Sequence, residues 1–303
     1  MKRISGGMGR WAAAVAVALA LAGPGLVRAA EKKPAAPVTP GAVSRDPYIG
    51  AIAVDAATGA VVFEDNADAV GHPASMLKLM NLLIILEKVK AGSVKLTDPV
   101  QVTAEASKIG GSQVWLAEKE TFPVEDLLYA LMVQSANDAA VALAIHLAGS
   151  KEAFVGLMNE RAQALGMTRT RFESVHGLPP GPGQKPDVTT PRDFVLLCRE
   201  LLKYPEALAY TSTKERAFRS DPKTQVIMRT HNGLLNTYPG CDGLKTGYYR
   251  VAGYSIAATA QRGDRRVIAV VLGSESKTTR DAKAAELLSK GFLAISGSAA
   301  PSP

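Results

Sequence analysis

Residues 73–89 read PASMLKLMNLLIILEKV, and this stretch decides the architecture. Met76, Leu77, Leu79, Met80, Leu82, Leu83, Ile84, Ile85 and Leu86 leave no polar stripe, so a helix built from them is buried on every side. Pro73 fits its start, because proline lacks an N–H that the first helical turn could not use. A helix of this kind needs other elements around it, and the flanking sequence supplies them. Upstream, Tyr48 to Val54, a turn at Ala57-Thr58-Gly59 and Val61-Val62-Phe63 read as a β-hairpin, although Ile49, Ile52 and Val54 do not alternate cleanly. Downstream, a helical stretch begins at Phe122-Pro123, carries Leu127, Leu128, Leu131 and Met132 on one face, breaks near Ser135 and resumes from Ala139 to Ala148. A third runs from Glu152 to Leu165 and stops at Gly166, and Thr190-Pro191 opens another through Leu202. Between them Gly177 to Asp187, GLPPGPGQKPD, is a loop. The period then changes. Gln225 to Met228, Gly253 to Ala260 and Arg266 to Leu272 read as strands, the last two joined at Arg262-Gly263-Asp264, and a helix over Arg280 to Phe292 closes the fold. Hairpin, helices, strands, helix is the order of an α+β fold, an antiparallel sheet covered by helices, rather than an alternating βα barrel.

The remaining composition bounds the function. At 303 residues with 47% hydrophobic and 21% charged, the chain has ordinary globular usage, which excludes disordered, collagenous and coiled-coil classes. The first thirty residues stand apart: basic Lys2, Arg3 and Arg10, the apolar run Trp11 to Leu21, and small-residue Val27-Arg28-Ala29 form the layout of a secretory signal peptide. The apolar run is well short of the roughly 20 residues of a bilayer span, which favours a cleaved signal over a retained anchor. The expected organisation is therefore a signal peptide over 1–30, a Pro/Ala-rich linker over 31–46, one domain over 47–295 and a disordered tail over 296–303, in an exported protein with no clear membrane anchor. Without Lys2, Arg3, Arg10 and Arg28 the net charge falls from +7 to about +3, so no nucleic-acid partner is expected. Cys198 and Cys241 form neither a disulfide scaffold nor a CxxC pair, and Cys198, among Val195, Leu196 and Leu197, reads as a small apolar core residue. His72, His146, His176 and His231 are isolated, so no metal or cofactor is expected.

Three short motifs carry the chemistry. Ser75-Met76-Leu77-Lys78 is an S-x-x-K, and although Ser220–Lys223 and Ser274–Lys277 repeat the spacing, only Ser75 opens a buried helix, where positions three apart share a face. Burial disfavours the charged form of Lys78, and a neutral amine beside a hydroxyl is what activates a serine nucleophile. Ser135-Ala136-Asn137 is an S-x-N at the break between two helical stretches. Lys245-Thr246-Gly247 follows a turn containing Gly240 and Gly243 and leads into a strand.

In that combination and order the chain resembles the penicillin-binding serine D,D-peptidases, and within them the low-molecular-mass D-alanyl-D-alanine carboxypeptidases. The likeness runs from the hairpin near Tyr48 to Gly291-Phe292 and includes Asn137-Asp138-Ala139-Ala140, His176-Gly177-Leu178 and Asn232-Gly233-Leu234-Leu235. It implies the penicillin-binding protein/β-lactamase-like transpeptidase fold, a five-stranded antiparallel sheet flanked by helices with a helical subdomain. It further implies that Ser75 attacks a D-Ala-D-Ala carbonyl and forms an acyl-enzyme, with Lys78 as general base and Ser135 relaying the proton. Asn137 would bond the substrate amide; Lys245, Thr246 and Arg280 would hold the terminal carboxylate. The backbone N–H groups of Ser75 and Tyr248 would make the oxyanion hole, beside Gly247. The implied partners are peptidoglycan stem peptides and β-lactam antibiotics, and the implied location is the bacterial periplasm or cell-wall space.

The chain departs from the family pattern at Leu77, where threonine is usual, at Ala136, where glycine is usual, and in the loop from Pro179 to Asp187. None of these removes a catalytic group. Three other readings share some of the signal. A serine β-lactamase of class A would need a deacylating glutamate, and no E-x-x-L-N segment lies between Asn137 and Lys245. A D,D-endopeptidase would carry the same motifs. A muropeptide-binding or sensor protein would have no need of a buried lysine.

Overall fold

The structure, a computed structural model, describes residues 48–297. The expected signal peptide, linker and residues 298–303 of the tail lie outside the described residues. In chain order the elements are β1 (Gly50–Asp55), β2 (Val61–Asp65), a 3₁₀ turn (Ala74–Leu77), α1 (Lys78–Lys90), β3 (Pro99–Gln101), α2 (Ala104–Lys108), β4 (Thr121–Pro123), α3 (Val124–Met132), α4 (Asn137–Ala148), α5 (Lys151–Ala164) and α6 (Pro191–Leu201). There follow α7 (Ala207–Thr211), β5 (Glu215–Phe218), β6 (Val226–Arg229), α8 (Leu234–Thr237), β7 (Cys241–Tyr249), β8 (Gly253–Arg262), β9 (Arg265–Ser274) and α9 (Lys277–Gly297).

Five strands form one sheet in the order β2-β1-β9-β8-β7, antiparallel at every pairing. Both faces are covered. Ala51, Ala53, Ala258 and Ala269 meet Ala284, Leu287 and Leu288 of α9, while Ile52, Val54, Ile268 and Val270 point into the larger core around α1. Two-sided burial removes the apolar–polar alternation that marks a half-exposed strand, and Ile49 precedes β1 out of phase with Ile52 and Val54, which is why the three gave no clean period. The alanines on one face let α9 lie close to the sheet. α1 sits where its composition requires: every residue from Lys78 to Leu86 is buried, among α3, α4, α5, α6, α7 and β7. Two residues past its end at Lys90, Gly92 has φ 74°, a conformation glycine adopts freely.

Three features differ from the sequence reading. Phe122-Pro123 belongs to the short strand β4, and the helix starts one residue later at Val124. Lys245-Thr246-Gly247 lies inside β7 rather than ahead of a strand, because the edge strand already begins at Cys241 despite two glycines. The last helix continues to Gly297, through the first two residues assigned to the tail. The two-stranded pairs β3–β4 and β5–β6 and the helices α2, α7 and α8 are all too short to show a period. Cys198 is fully buried on α6 and Cys241 is half-buried, and both thiols are free, each with its pKa raised by burial.

Candidate active site

The 3₁₀ turn brings the first motif together. Met76 N–H donates to the Pro73 carbonyl at 3.1 Å, and this tight turn leaves Ser75 half-buried at its edge while Lys78 begins α1 with no exposed surface. Ala74, just before the serine, has φ 47°, and Ser135 has φ 59°. Non-glycine residues held in the left-handed region cost about 1–3 kcal/mol each and persist where the surroundings over-determine them. Both flank the same cavity, a cleft of about 420 Å³ lined by Ser75, Ser135, Asn137, Thr246, Gly247, Tyr248 and Arg280 among others.

Lys78 Nζ lies 2.9 Å from Ser75 Oγ, 2.7 Å from Asn137 Oδ1, 2.8 Å from the His176 carbonyl oxygen and 3.5 Å from Ser135 Oγ. Two of these neighbours can only accept. Asn137 Nδ2 donates to the Gly110 carbonyl at 2.8 Å, which turns Oδ1 toward the amine, and the His176 oxygen belongs to the backbone. A neutral amine has two hydrogens and one lone pair. In that state its hydrogens go to Asn137 and His176 and its lone pair faces the Ser75 hydroxyl, whose other acceptor is the His176 carbonyl at 3.4 Å. Burial holds the Lys78 pKa well below the usual lysine range, and the neighbouring Lys245 lowers it further; the buried carboxylates Asp138 and Asp187 act in the opposite sense. Ser135 Oγ lies at the long limit of a hydrogen bond from the amine.

α4 starts immediately after Ser135-Ala136 and zips this segment to a loop that the sequence did not single out. Asn137 N–H donates to Ser112 O at 2.7 Å, and Ser112 Oγ donates to Gln134 O at 2.6 Å. The buried Asp138 carboxylate accepts from Leu116 N–H at 3.0 Å and from Val114 N–H at 3.1 Å. Gly111 and Ser112 thereby become part of the cleft wall. Ala136, where glycine was the family expectation, has φ −62° and needs no glycine. Leu77 is fully buried.

The opposite wall is β7. Lys245 is 3% exposed and its amine donates to Thr246 O at 3.1 Å; burial, with Arg280 nearby, pushes its pKa down to about 7. Thr246 and Gly247 face the cleft, and Tyr248, half-exposed, stacks on Tyr254 with ring centres 4.0 Å apart. The Arg280 guanidinium, 3% exposed, is oriented by Asp281, whose Oδ1 accepts from Nε at 2.8 Å and Nη2 at 2.7 Å. Gly247 is required by close approach: a Cβ there would collide with the Pro73 carbonyl oxygen and press on Met76 N. Gly247→Ala should push β7 off the serine turn, and a displacement near 1 Å at the reacting centre costs about 10²-fold in rate. Acylation kinetics together with a melting curve check this: the rate should fall about a hundredfold while the protein still melts cooperatively.

All nine residues expected from sequence converge here: seven line the cleft, and Lys78 and Lys245 are buried close to it. Both Asn137 polar atoms are engaged in the resting site. What the motifs did not reveal are the His176 carbonyl, Gly110 to Ser112, the buried Asp138 and Asp187, and Tyr254 and Lys277 on the cleft rim. Among the described residues no group of three or more His, Cys, Asp or Glu could hold a metal ion.

A family profile described as D-alanyl-D-alanine carboxypeptidase matches residues 46–276. The D-alanyl-D-alanine carboxypeptidase DacF of Bacillus subtilis is 35% identical over 242 residues, 80% of this chain and 61% of the relative. DacC of Escherichia coli, with the same description, is 39% identical over 249 residues, 80% of this chain and 60% of the relative. The chain thus spans about 60% of the length of these curated relatives. Among solved structures, penicillin-binding protein D2 of Listeria monocytogenes in its ampicillin-bound form superposes with a TM-score of 0.71 at 33% identity, covering 80% of this chain and 96% of that one.

Proposed function

The chain belongs to the D-alanyl-D-alanine carboxypeptidase family, and from that premise we propose that it removes the terminal D-alanine of peptidoglycan stem peptides through an acyl-enzyme on Ser75. The observation that carries this is the Lys78 amine, with two acceptor-only neighbours and a serine hydroxyl at 2.9 Å. As Ser75 Oγ bonds to the carbonyl carbon of the penultimate D-alanine, its proton passes to Lys78 Nζ, a transfer worth about 10²–10⁴-fold. The oxyanion meets the N–H groups of Ser75 and Tyr248, donors worth on the order of 10²–10³ each. The peptide C–N bond then breaks as the proton travels from Lys78 through Ser135 to the departing amine, leaving an ester that water hydrolyses with Lys78 again as base. Thr246, Lys245 and Arg280 take the terminal carboxylate. That contact has a charge logic. Lys245, near pKa 7 when the cleft is empty, is drawn back to its protonated form by a bound carboxylate, so its charge is greatest when substrate is present.

Penicillins would acylate the same serine, and their adduct should persist. Among the described residues no Asp or Glu lines the cleft in the manner of the deacylating glutamate of class A enzymes, which disfavours a class A β-lactamase reading. The expected setting is the periplasm or cell-wall space, reached through the signal peptide over residues 1–30. The test is incubation with a diacyl D-Ala-D-Ala tripeptide and, separately, with a β-lactam followed by intact mass. Release of free D-alanine and a single stable adduct are expected. Neither product, or cleavage confined to a cross-linked muropeptide, would contradict the carboxypeptidase assignment.

A further inference from the structure

The carbonyl that holds Lys78 belongs to a segment whose geometry is fixed from outside the three motifs. Asn81, one turn beyond Lys78 on α1, donates from Nδ2 to Val175 O at 2.9 Å, so α1 grips both Val175 and His176. Gly177, at φ 76°, runs against the Ala74 carbonyl and Ser75 N with no room for a Cβ. Its N–H donates to Ser174 Oγ at 2.9 Å. Ser174 in turn donates its hydroxyl to Asp187 Oδ2 at 2.8 Å, and Asp187 Oδ1 accepts from the N–H groups of Glu173 at 2.7 Å and Ser174 at 3.0 Å. Asp187 is 6% exposed, and His72 Nδ1 lies 2.9 Å from its backbone oxygen. One buried carboxylate therefore organises the turn 173–177, at the far end of a loop in which this chain departs from its family.

We infer that Asp187 is a positioning residue for Lys78: through Ser174 and Gly177 it fixes the His176 carbonyl that orients the amine, and its charge offsets the ammonium that forms when Ser75 gives up its proton. The inference rests on the acyl-enzyme reading above. The polarity of the chain supports it, since a carboxylate, which only accepts, forces the Ser174 hydroxyl to donate and frees its lone pairs for Gly177. An amide in its place would turn an N–H₂ toward Ser174 and break that order. The charges facing Lys78 are Lys245 from β7, Asp138 from α4 and Asp187 from the loop, with His176 and His231, both held neutral by burial, alongside. Asp187 itself faces Glu173 and Tyr249. Asp187 raises the affinity of Lys78 for a proton. Removing its charge must then move the acid limb of acylation to lower pH while weakening the base.

The experiment measures the second-order rate constant for acylation by benzylpenicillin against pH in the full chain, for the wild type, Asp187→Asn, Asp187→Glu and Ser174→Ala, with a melting curve for each. Asp187→Asn should lower the plateau about 10–100-fold, the scale of a small displacement at a reacting centre, and shift the acid limb downward. Ser174→Ala should lower the plateau with the limb in place, and Asp187→Glu should keep the limb and recover most of the rate. An unshifted limb in Asp187→Asn, or losses that follow melting temperature alone, would overturn the inference. If Asp187→Asn fails to fold, Ser174→Ala acylating at the wild-type rate overturns it. A wild-type protein that is not acylated removes the acyl-enzyme reading and this inference together, whereas normal wild-type acylation with an unaltered Asp187→Asn removes only the inference.

Discussion

Ser75→Ala is expected to abolish the covalent β-lactam adduct and to lower D-alanine release by on the order of 10⁶-fold, the size seen when a serine nucleophile is removed from a cooperating set. In the proposed mechanism the effect is large because the base acts through that hydroxyl and the covalent intermediate forms on it. Lys78 Nζ lies 2.9 Å from Ser75 Oγ, and Asn137 and His176 hold the amine there. Without the oxygen the base has nothing to deprotonate. The fold should be indifferent, since Ser75 sits half-buried at the rim of the turn and the Met76 to Pro73 bond that closes it is backbone only. Intact mass after penicillin treatment, with a melting curve, checks both halves. An adduct of undiminished yield would place the nucleophile elsewhere.

Lys78→Met should lower acylation by about 10²–10⁴-fold, the usual contribution of a general base. Lys78→Arg should lose as much despite keeping the positive charge, because a guanidinium stays protonated and cannot accept from Ser75. The pH profile separates this from simple damage. With its pKa held well below the ordinary lysine range, Lys78 becomes competent as pH rises through that depressed value, giving wild-type acylation an acid limb that both variants lack. Stability follows the same proton. Between the depressed pKa of the folded state and the ordinary value of about 10.4, the unfolded chain binds more protons, so this residue makes stability rise with pH across that window. Lys78→Met should flatten that slope. Retention of acylation within tenfold in either variant would remove Lys78 from the proton transfer.

The site was legible in the sequence where side chains carry it. A serine at the start of an all-apolar helix, an S-x-N at a helix break and a K-T-G are local patterns, and the cleft lies where their elements meet. His176-Gly177-Leu178 entered the family likeness, but the part its carbonyl plays beside Lys78 left no trace, because a backbone oxygen has no residue type. Asp187 looked like one more polar residue of a Pro/Gly loop, and its role follows only from burial and three donors brought to it by folding. The hairpin and α1 were read correctly, but Lys245 was placed ahead of its strand, since Gly240 and Gly243 resemble turn residues until the close neighbours of Gly243 are known. Gly243 packs against Thr211 and Gly247 against Pro73, so both are contact requirements within β7.

The central claim is that Lys78 is uncharged in the resting protein near neutral pH. Labelling the lysine side chains with ¹³C and following the Cε resonances against pH, with Lys78→Arg to assign the signal, measures this directly. Two resonances, those of Lys78 and Lys245, should titrate far below the surface lysines, and the one that vanishes in the variant is that of Lys78. If that resonance instead moves with the surface lysines near about 10.4, the amine is an ammonium in the resting site and the proposed base is absent.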